Sequence, residues 1–300
     1  MSQPQDQPHS GFPSRSLKRS PTSPRPLFGI VMTALTFLCA ILAILPLVAV
    51  LSYVVIQGIS QLNASAFTEL PPPPLVPGGG FGNAIVGTII MVGIAALISI
   101  PFGIMAAIYL SEFSSTGKFS YWIRFATNVL SGVPSIIVGV FAYAAVVLTM
   151  GTYSAWAGGF ALSILMLPIV IRATEEALRL VPQEIRQASV GLGATNFQTV
   201  SRVILPAALP AIVTGTTLAI ARAAGETAPL LFTALFTQYW PNWNNQLKEP
   251  TASLAVLVYN FATSPFKNQQ AFAWAASFIL VLLVLITSMI SRLATARRVY

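Results

Sequence analysis

Charge is scarce in this sequence. Asp, Glu, Lys and Arg make up 8% of its 300 residues, against 55% hydrophobic residues, and the mean hydropathy is +0.75. Soluble domains carry about 25% charged residues, so the shortage excludes a large soluble domain and indicates a polytopic membrane protein. Cysteine and histidine are nearly absent. The single cysteine, Cys39, lies in an apolar run and builds no disulfide framework or metal site. Bulky Leu38 before it argues against a lipid-modified cysteine. The single histidine, His9, sits in a Pro/Ser/Gln-rich tail and reads as solvated. No phosphate-cradling Gly-x-x-x-x-Gly-Lys-Ser/Thr run is present: Gly117-Lys118 is followed by Phe119 and lacks the upstream glycine. No nucleophile, base and orienter cluster together, so no catalytic residue, metal or cofactor is assigned. The net charge of +8 does not point to nucleic acid, because it sorts by membrane side.

What is present is a series of apolar runs. Residues 1–26 form a Pro-rich basic tail that buries too little to order itself. An uncleaved first transmembrane helix is expected over 27–57, being too long for a signal-peptide core, with a bend at Pro46. A Pro/Gly loop follows over 58–82, read as a stiff extended turn and then a flexible joint at Gly78–Gly80. Further helices are expected over 83–109, from Arg124 to Met150, from Ala155 to Ile171, from about Leu205 to Phe236, and over 271–290, with a polar loop over 237–270. Tyr239, Trp240 and Trp243 suit a lipid interface there. Lys and Arg favour cytoplasmic loops. Four lie in the tail, two in the turn at 118–124, four between Arg172 and Arg202, and three after Ile290, against Lys248 and Lys267 on the other side. With six crossings, both termini face the cytoplasm.

The stretch Leu218-Ala-Ile-Ala-Arg222-Ala-Ala-Gly-Glu226-Thr-Ala-Pro229 organises the chain. Arg and Glu in the middle of an apolar run cost roughly 2.5–3.5 kcal/mol each on insertion scales. Four residues apart, they share a helix face and can pair, with Ala211, Gly215, Leu218, Pro229 and Thr233 on the same side. A guanidinium in a dry passage suits a tetrahedral oxyanion; a neutralised pair holding two helices together is the other reading. Asn128, Ser131 and Ser135 make one polar stripe, broken by Gly132 and Pro134, either lining a pathway, where irregular backbone is tolerated, or serving small-residue helix packing.

Residues 183–206 read as a helix–turn–helix. Pro182 opens a helix at its first position, Gly193 ends it in a left-handed cap, and Thr195 with Gln198 has capping-box spacing. Such a knob suits docking into another protein's groove, or is an ordinary interfacial hairpin.

Here the residues carry a resemblance. Gln187-Ala188-Ser189, then Gly193, then Val203-Ile204-Leu205-Pro206 resembles the EAA loop of ABC importer permeases, with Gln187 in place of the family's Glu. Together with Asn83-Ala-Ile-Val-Gly87-Thr88, Gly132-Val-Pro-Ser135, Leu167-Pro-Ile-Val-Ile-Arg172 and Ala221-Arg-Ala-Ala-Gly-Glu-Thr-Ala-Pro-Leu-Leu231, residues 80–295 are similar to the phosphate-specific (Pst) importer permeases, closer to the PstA type.

The resemblance implies an all-α permease of the ABC importer type I architecture, six transmembrane helices in the bacterial inner membrane, passing inorganic phosphate. The implied partners are a second homologous permease of the PstC type, two ATPase subunits of the PstB type, a periplasmic phosphate-binding protein of the PstS type, and membrane lipid. Arg222, Glu226 and Arg172 match pathway charges, with Asn128, Ser131 and Ser135 as candidate lining. Gln187, Ala188, Ser189, Gly193, Thr195, Leu205 and Pro206 match the coupling loop. A permease for sulfate or molybdate is the alternative within the same architecture.

Overall fold

The computed structural model describes residues 24–76, 78–114 and 117–296. Residues 1–23 of the basic tail, and Arg297 and Arg298, lie outside the described residues. Every element among the described residues is helical. The chain divides into two compact units at Ser52/Tyr53. The first holds most of α1 (Pro24–Ile59), which runs unbroken through Pro46. Its Thr33 and Thr36 hydroxyls donate to the carbonyls of Gly29 and Met32, each at 2.8 Å, which satisfies these two hydroxyls within the helix.

The second unit begins with the last two turns of α1, followed by a short α2 (Ala64–Thr68), capped by Asn63, whose side chain accepts from the Ala66 amide at 2.9 Å. Of the glycines after the prolines, Gly79 and Gly80 are packed and form no flexible joint. The Gly80 amide donates to the Leu70 carbonyl at 2.9 Å, and a Cβ on Gly80 would stand 2.2 Å from the Ser65 carbonyl oxygen. The segment is a packed chain crossing.

α3 (Gly82–Ile108) continues as a π turn to Phe113. α4 (Lys118–Gly132) and α5 (Ser135–Ala142), the latter extended by a π turn and α6 (Leu148–Met150), were expected as one helix. Instead they meet at 107°. Pro134 has no N–H to donate and keeps the preceding residue extended; Val133 takes φ −72°, ψ 129°. α7 (Ala155–Arg179) runs two turns past Arg172, the expected end.

After α8 (Gln183–Gly191), the chain enters α9 (Asn196–Thr199), a π turn Val200–Ile204, and α10 (Leu205–Gly225). These last three form one continuous helix from Asn196. The π turn absorbs Pro206, which cannot complete a normal helical hydrogen bond. α10 stops at Gly225, and a separate α11 (Ala228–Thr233) follows. The region 237–270, expected as a polar loop, contains α12 (Leu254–Ala262), with Leu254, Ala255, Val256, Leu257 and Phe261 buried. α13 starts at Lys267, four residues earlier than expected, and runs to Ala296. Among the described residues, five helices are long and apolar enough to cross a membrane, or six with the bent pair taken as one.

α3 and α7 form the central pair. Cβ atoms on Gly158 and Gly159 would stand 2.6 Å from Met91 Sδ and 2.5 Å from Ile94 Cγ2. Such close backbone approach is how helices associate where lipid supplies no hydrophobic drive between them. The head of α3 anchors the loop preceding α12. Asn83 Nδ2 donates to the carbonyls of Thr237 and Tyr239 at 3.1 and 3.2 Å, and the Leu254 amide donates to Thr88 Oγ1 at 2.8 Å. At Gly87, a Cβ would sit 2.0 Å from the Ala252 carbonyl oxygen. The segment Asn83–Thr88 is thus a clasp for the 237–254 loop. Asn83→Ala removes both donors and should destabilise the protein by about 1–3 kcal/mol, read as a lower unfolding temperature in nanodiscs with faster amide exchange across 234–252.

Candidate functional site

Arg222 sits on the last turn of α10, and Glu226 is the residue that caps it. The continuous helix expected across them is broken: Glu226 is extended at φ −74°, ψ 126°. The cause is Pro229, which cannot donate to the Gly225 carbonyl and whose ring crowds it. The pair forms all the same, Arg222 Nε to Glu226 Oε1 at 3.4 Å. The side chain of Arg222 is 59% exposed and that of Glu226 16%. Only Nε is engaged, so the two terminal guanidinium nitrogens carry no hydrogen bond among the described residues.

Beyond the break, Pro229 and Thr233 leave the Arg222 face and are buried. Thr233 Oγ1 donates to the Pro229 carbonyl at 2.8 Å. A Cβ on Gly139 of α5 would lie 2.7 Å from Pro229 Cα. The second arm of one broken segment therefore packs on the second arm of the other, as irregular backbone at membrane depth requires.

Arg172 and Asn128 meet, with Arg172 Nη2 donating to Asn128 Oδ1. Ser131 donates to the Thr127 carbonyl at 2.8 Å and stays on the Asn128 arm. Ser135 opens α5 beyond the 107° bend. The stripe over Asn128, Ser131 and Ser135 is divided between two helices at the Gly132/Pro134 break that the sequence pointed to. No hydrogen bond or ion pair links Arg172 or Asn128 to Arg222 or Glu226 among the described residues. A register between α7 and α10 is set where a Cβ on Gly215 would stand 2.3 Å from Ala173 Cβ. Arg222, seven residues beyond Gly215, lies about 10 Å further along α10 than that level.

The hairpin follows its local sequence closely. Gly193 has φ +86°. Its amide donates to the Val190 carbonyl at 2.9 Å and that of Ala194 to the Ser189 carbonyl at 3.2 Å, a left-handed cap that favours glycine. Thr195 and Gln198 complete the capping box. Pro182 is the N-cap of α8, one position outside the helix and not its first residue. Gln187 and Ala188 are exposed, Leu205 is half-buried and Pro206 exposed.

Two contacts escaped sequence reasoning. Ser189 is buried, and its hydroxyl lies 2.9 Å from that of Thr199, tying α8 to α9. Arg186 pairs with Glu112 of the π turn after α3 and donates to the Leu178 carbonyl at 2.7 Å. Its side chain is 19% exposed and that of Glu112 6%. Beneath the hairpin, Leu178, Val200, Ile204 and Ile212 form a buried apolar foot.

The model of the family described as binding-protein-dependent transport system inner membrane component matches residues 99–299. The chain is 42% identical over 252 residues to the phosphate transport system permease protein PstA of Yersinia pestis, covering 84% of each. It is 39% identical to the protein of the same name from Haemophilus influenzae, covering 88% of this chain and 92% of that one. Among solved structures, an inward-facing MetNI methionine ABC transporter aligns with a TM-score of 0.58 at 20% identity. That alignment covers 73% of this chain and 94% of the other, a likeness of fold.

The hairpin's two ties differ in weight. Arg186→Leu strands a buried carboxylate and should destabilise by about 3–5 kcal/mol. Ser189→Ala should remove only about 1 kcal/mol. Thermal unfolding with amide exchange over 183–204 separates them; equal effects would contradict this ranking.

Proposed function

Because the chain belongs to the family of binding-protein-dependent transport system inner membrane components, and to its phosphate permease branch, we propose that it is the PstA-type subunit of an ATP-driven importer of inorganic phosphate. A second permease of the PstC type completes the transmembrane path. Two PstB-type ATPases receive the hairpin at 183–206, and a PstS-type periplasmic protein delivers the anion. The distribution of Lys and Arg supports both termini facing the cytoplasm.

Arg222 carries this reading. It ends the continuous helix that starts in the hairpin at Asn196, and its terminal nitrogens are free to fork onto a tetrahedral oxyanion. At this depth the dielectric is low, and a single guanidinium strongly lowers the barrier for an anion. Glu226 holds Nε and weakens the site enough for release, as conduction requires. ATP binding shifts the hairpin, the buried foot transmits the shift to α7 and α10, and the path changes its open side. Arg172 and Asn128 extend the path toward the hairpin. Gln187 and Ala188 present the exposed face of α8 to the ATPase, with a hydrogen bond from Gln187 in place of an ion pair.

The reconstituted complex should take up labelled phosphate only with ATP and be indifferent to sulfate. Uptake blocked by sulfate would overturn the substrate, and a chain purified without an ATPase would overturn the architecture. Arg222→Leu should lower uptake about 10–100-fold, the loss of a charge-assisted contact, with assembly intact. A Cβ on Gly193 would meet no atom within 4 Å, so Gly193→Val acts through backbone strain at φ +86°. It should lower uptake per ATP hydrolysed or release the ATPase.

A further inference from the structure

A cleft of about 250 Å³ opens between α4 and the last two turns of α7. Its lining includes Arg124, Asn128, Arg172, Glu175, Glu176 and Arg179. Arg172, Glu175, Glu176 and Arg179 follow the i, i+3, i+4, i+7 spacing that brings them onto one face of α7. Arg124 and Asn128, four apart on α4, face them. The charge is unevenly shared. Glu175 Oε1 alone takes Arg124, through Nε at 3.1 Å and Nη2 at 2.8 Å, and Arg179, through Nη2 at 2.6 Å. Arg172 donates to the neutral Asn128, and neither Arg172 nor Glu176 forms an ion pair among the described residues. Three guanidinium groups thus converge on a space with two carboxylates, and Glu175 pairs with two of the three.

We infer that this cleft is a second anion station, taking a phosphate group, in which the Glu175 carboxylate occupies the anion's place until a phosphate displaces it. Glu175 is 12% exposed and Arg124 29%, whereas Arg179 is 61% exposed. Arg124 is therefore the fixed donor, further held by its bond to the Leu110 carbonyl at 3.0 Å, and Arg179 the movable one. Phosphate offers more oxygens than a carboxylate and accepts Arg forks in pairs. It can engage Arg124, Arg172 and Arg179 together, which Glu175 does not. Glu175 in turn keeps the station weak, competing for the same donors so that the anion departs.

The place of the cleft fits this role. Ala173, beside Arg172, is level with Gly215, about 10 Å along α10 from Arg222 toward the hairpin. Arg179 lies about 10 Å further in that direction. An anion leaving Arg222 toward the hairpin side meets this cluster next. The inference rests on the phosphate-import reading. The same chemistry serves the phosphate of an acidic lipid headgroup, and the test separates the two sources.

The test is equilibrium binding of labelled inorganic phosphate to the full permease–ATPase complex in nanodiscs, without nucleotide or binding protein. One set of discs is made of zwitterionic lipid, another contains an acidic phospholipid. In zwitterionic discs the complex should bind phosphate, Arg179→Gln should weaken binding about tenfold, and Glu175→Gln should tighten it about tenfold, each by one charge-assisted contact. Arg179→Gln leaves the Arg124–Glu175 pair in place, so it keeps the test valid even if Glu175→Gln fails to fold. Binding unchanged by acidic lipid assigns the station to free phosphate; binding abolished by it, and restored on return to zwitterionic discs, assigns it to the headgroup. Phosphate binding that is absent in zwitterionic discs, or insensitive to both substitutions, overturns the inference. ATP-driven phosphate uptake by the same wild-type complex in liposomes keeps the import reading whatever the cleft does, and its absence sinks that reading separately.

Discussion

Close approach of two helix backbones governs this structure. α3 and α7 meet through Gly158 and Gly159, and through Gly103, where a Cβ would stand 2.7 Å from Val170 Cγ1. In lipid, burying a leucine against a leucine gains little, because the lipid tails are equally apolar. Dispersion and shape at short range must therefore hold the pair. A methyl group at any of these glycines removes that contact. The central pair is the frame on which the interrupted segments rest: α4 with α5, and α10 with α11.

Those interruptions follow from the same solvent. Each break leaves backbone groups without helical partners, and hydrocarbon offers none. The break at Pro134 and the break at Glu226 are tolerated because the second arms pack on each other at Gly139 and Pro229. The Ala234 carbonyl is then taken by the Thr251 amide at 3.0 Å, which brings the chain to α12. The uninterrupted part is as important as the breaks. From Asn196 to Gly225 the chain is one helix, with the hairpin at its start and Arg222 on its last turn.

What was legible in the sequence was what is local. Gly193, Thr195 and Gln198 act within a few residues, and their spacing is sufficient. Arg222 and Glu226 stood out because charge is rare in an apolar run. The proline breaks carried a visible signal, but continuous hydropathy argued for one helix at each site, and hydropathy does not register a lost hydrogen bond. α12 was missed for a different reason: nine residues are too few to cross a membrane, and its burial depends on α3 and α13, far away in sequence. The Arg186–Glu112 pair joins positions 74 apart and Arg124–Glu175 positions 51 apart. Of the cleft, only the α7 face, Arg172 to Arg179, was written in spacing; the opposing Arg124 came from topology.

The central claim is that the hairpin and Arg222 belong to one rigid helix, so that movement at one end is movement at the other. Phe197 and Leu218 are both exposed, at 70% and 66%, and suit spin labels near the two ends. The most direct measurement is the distance between labels at 197 and 218 in the assembled complex, by pulsed electron resonance, with and without trapped ATP. A distance that stays fixed, while label 197 moves relative to the ATPase, is the predicted result. A distance that changes with nucleotide would place a hinge at the π turn Val200–Ile204 and contradict the account.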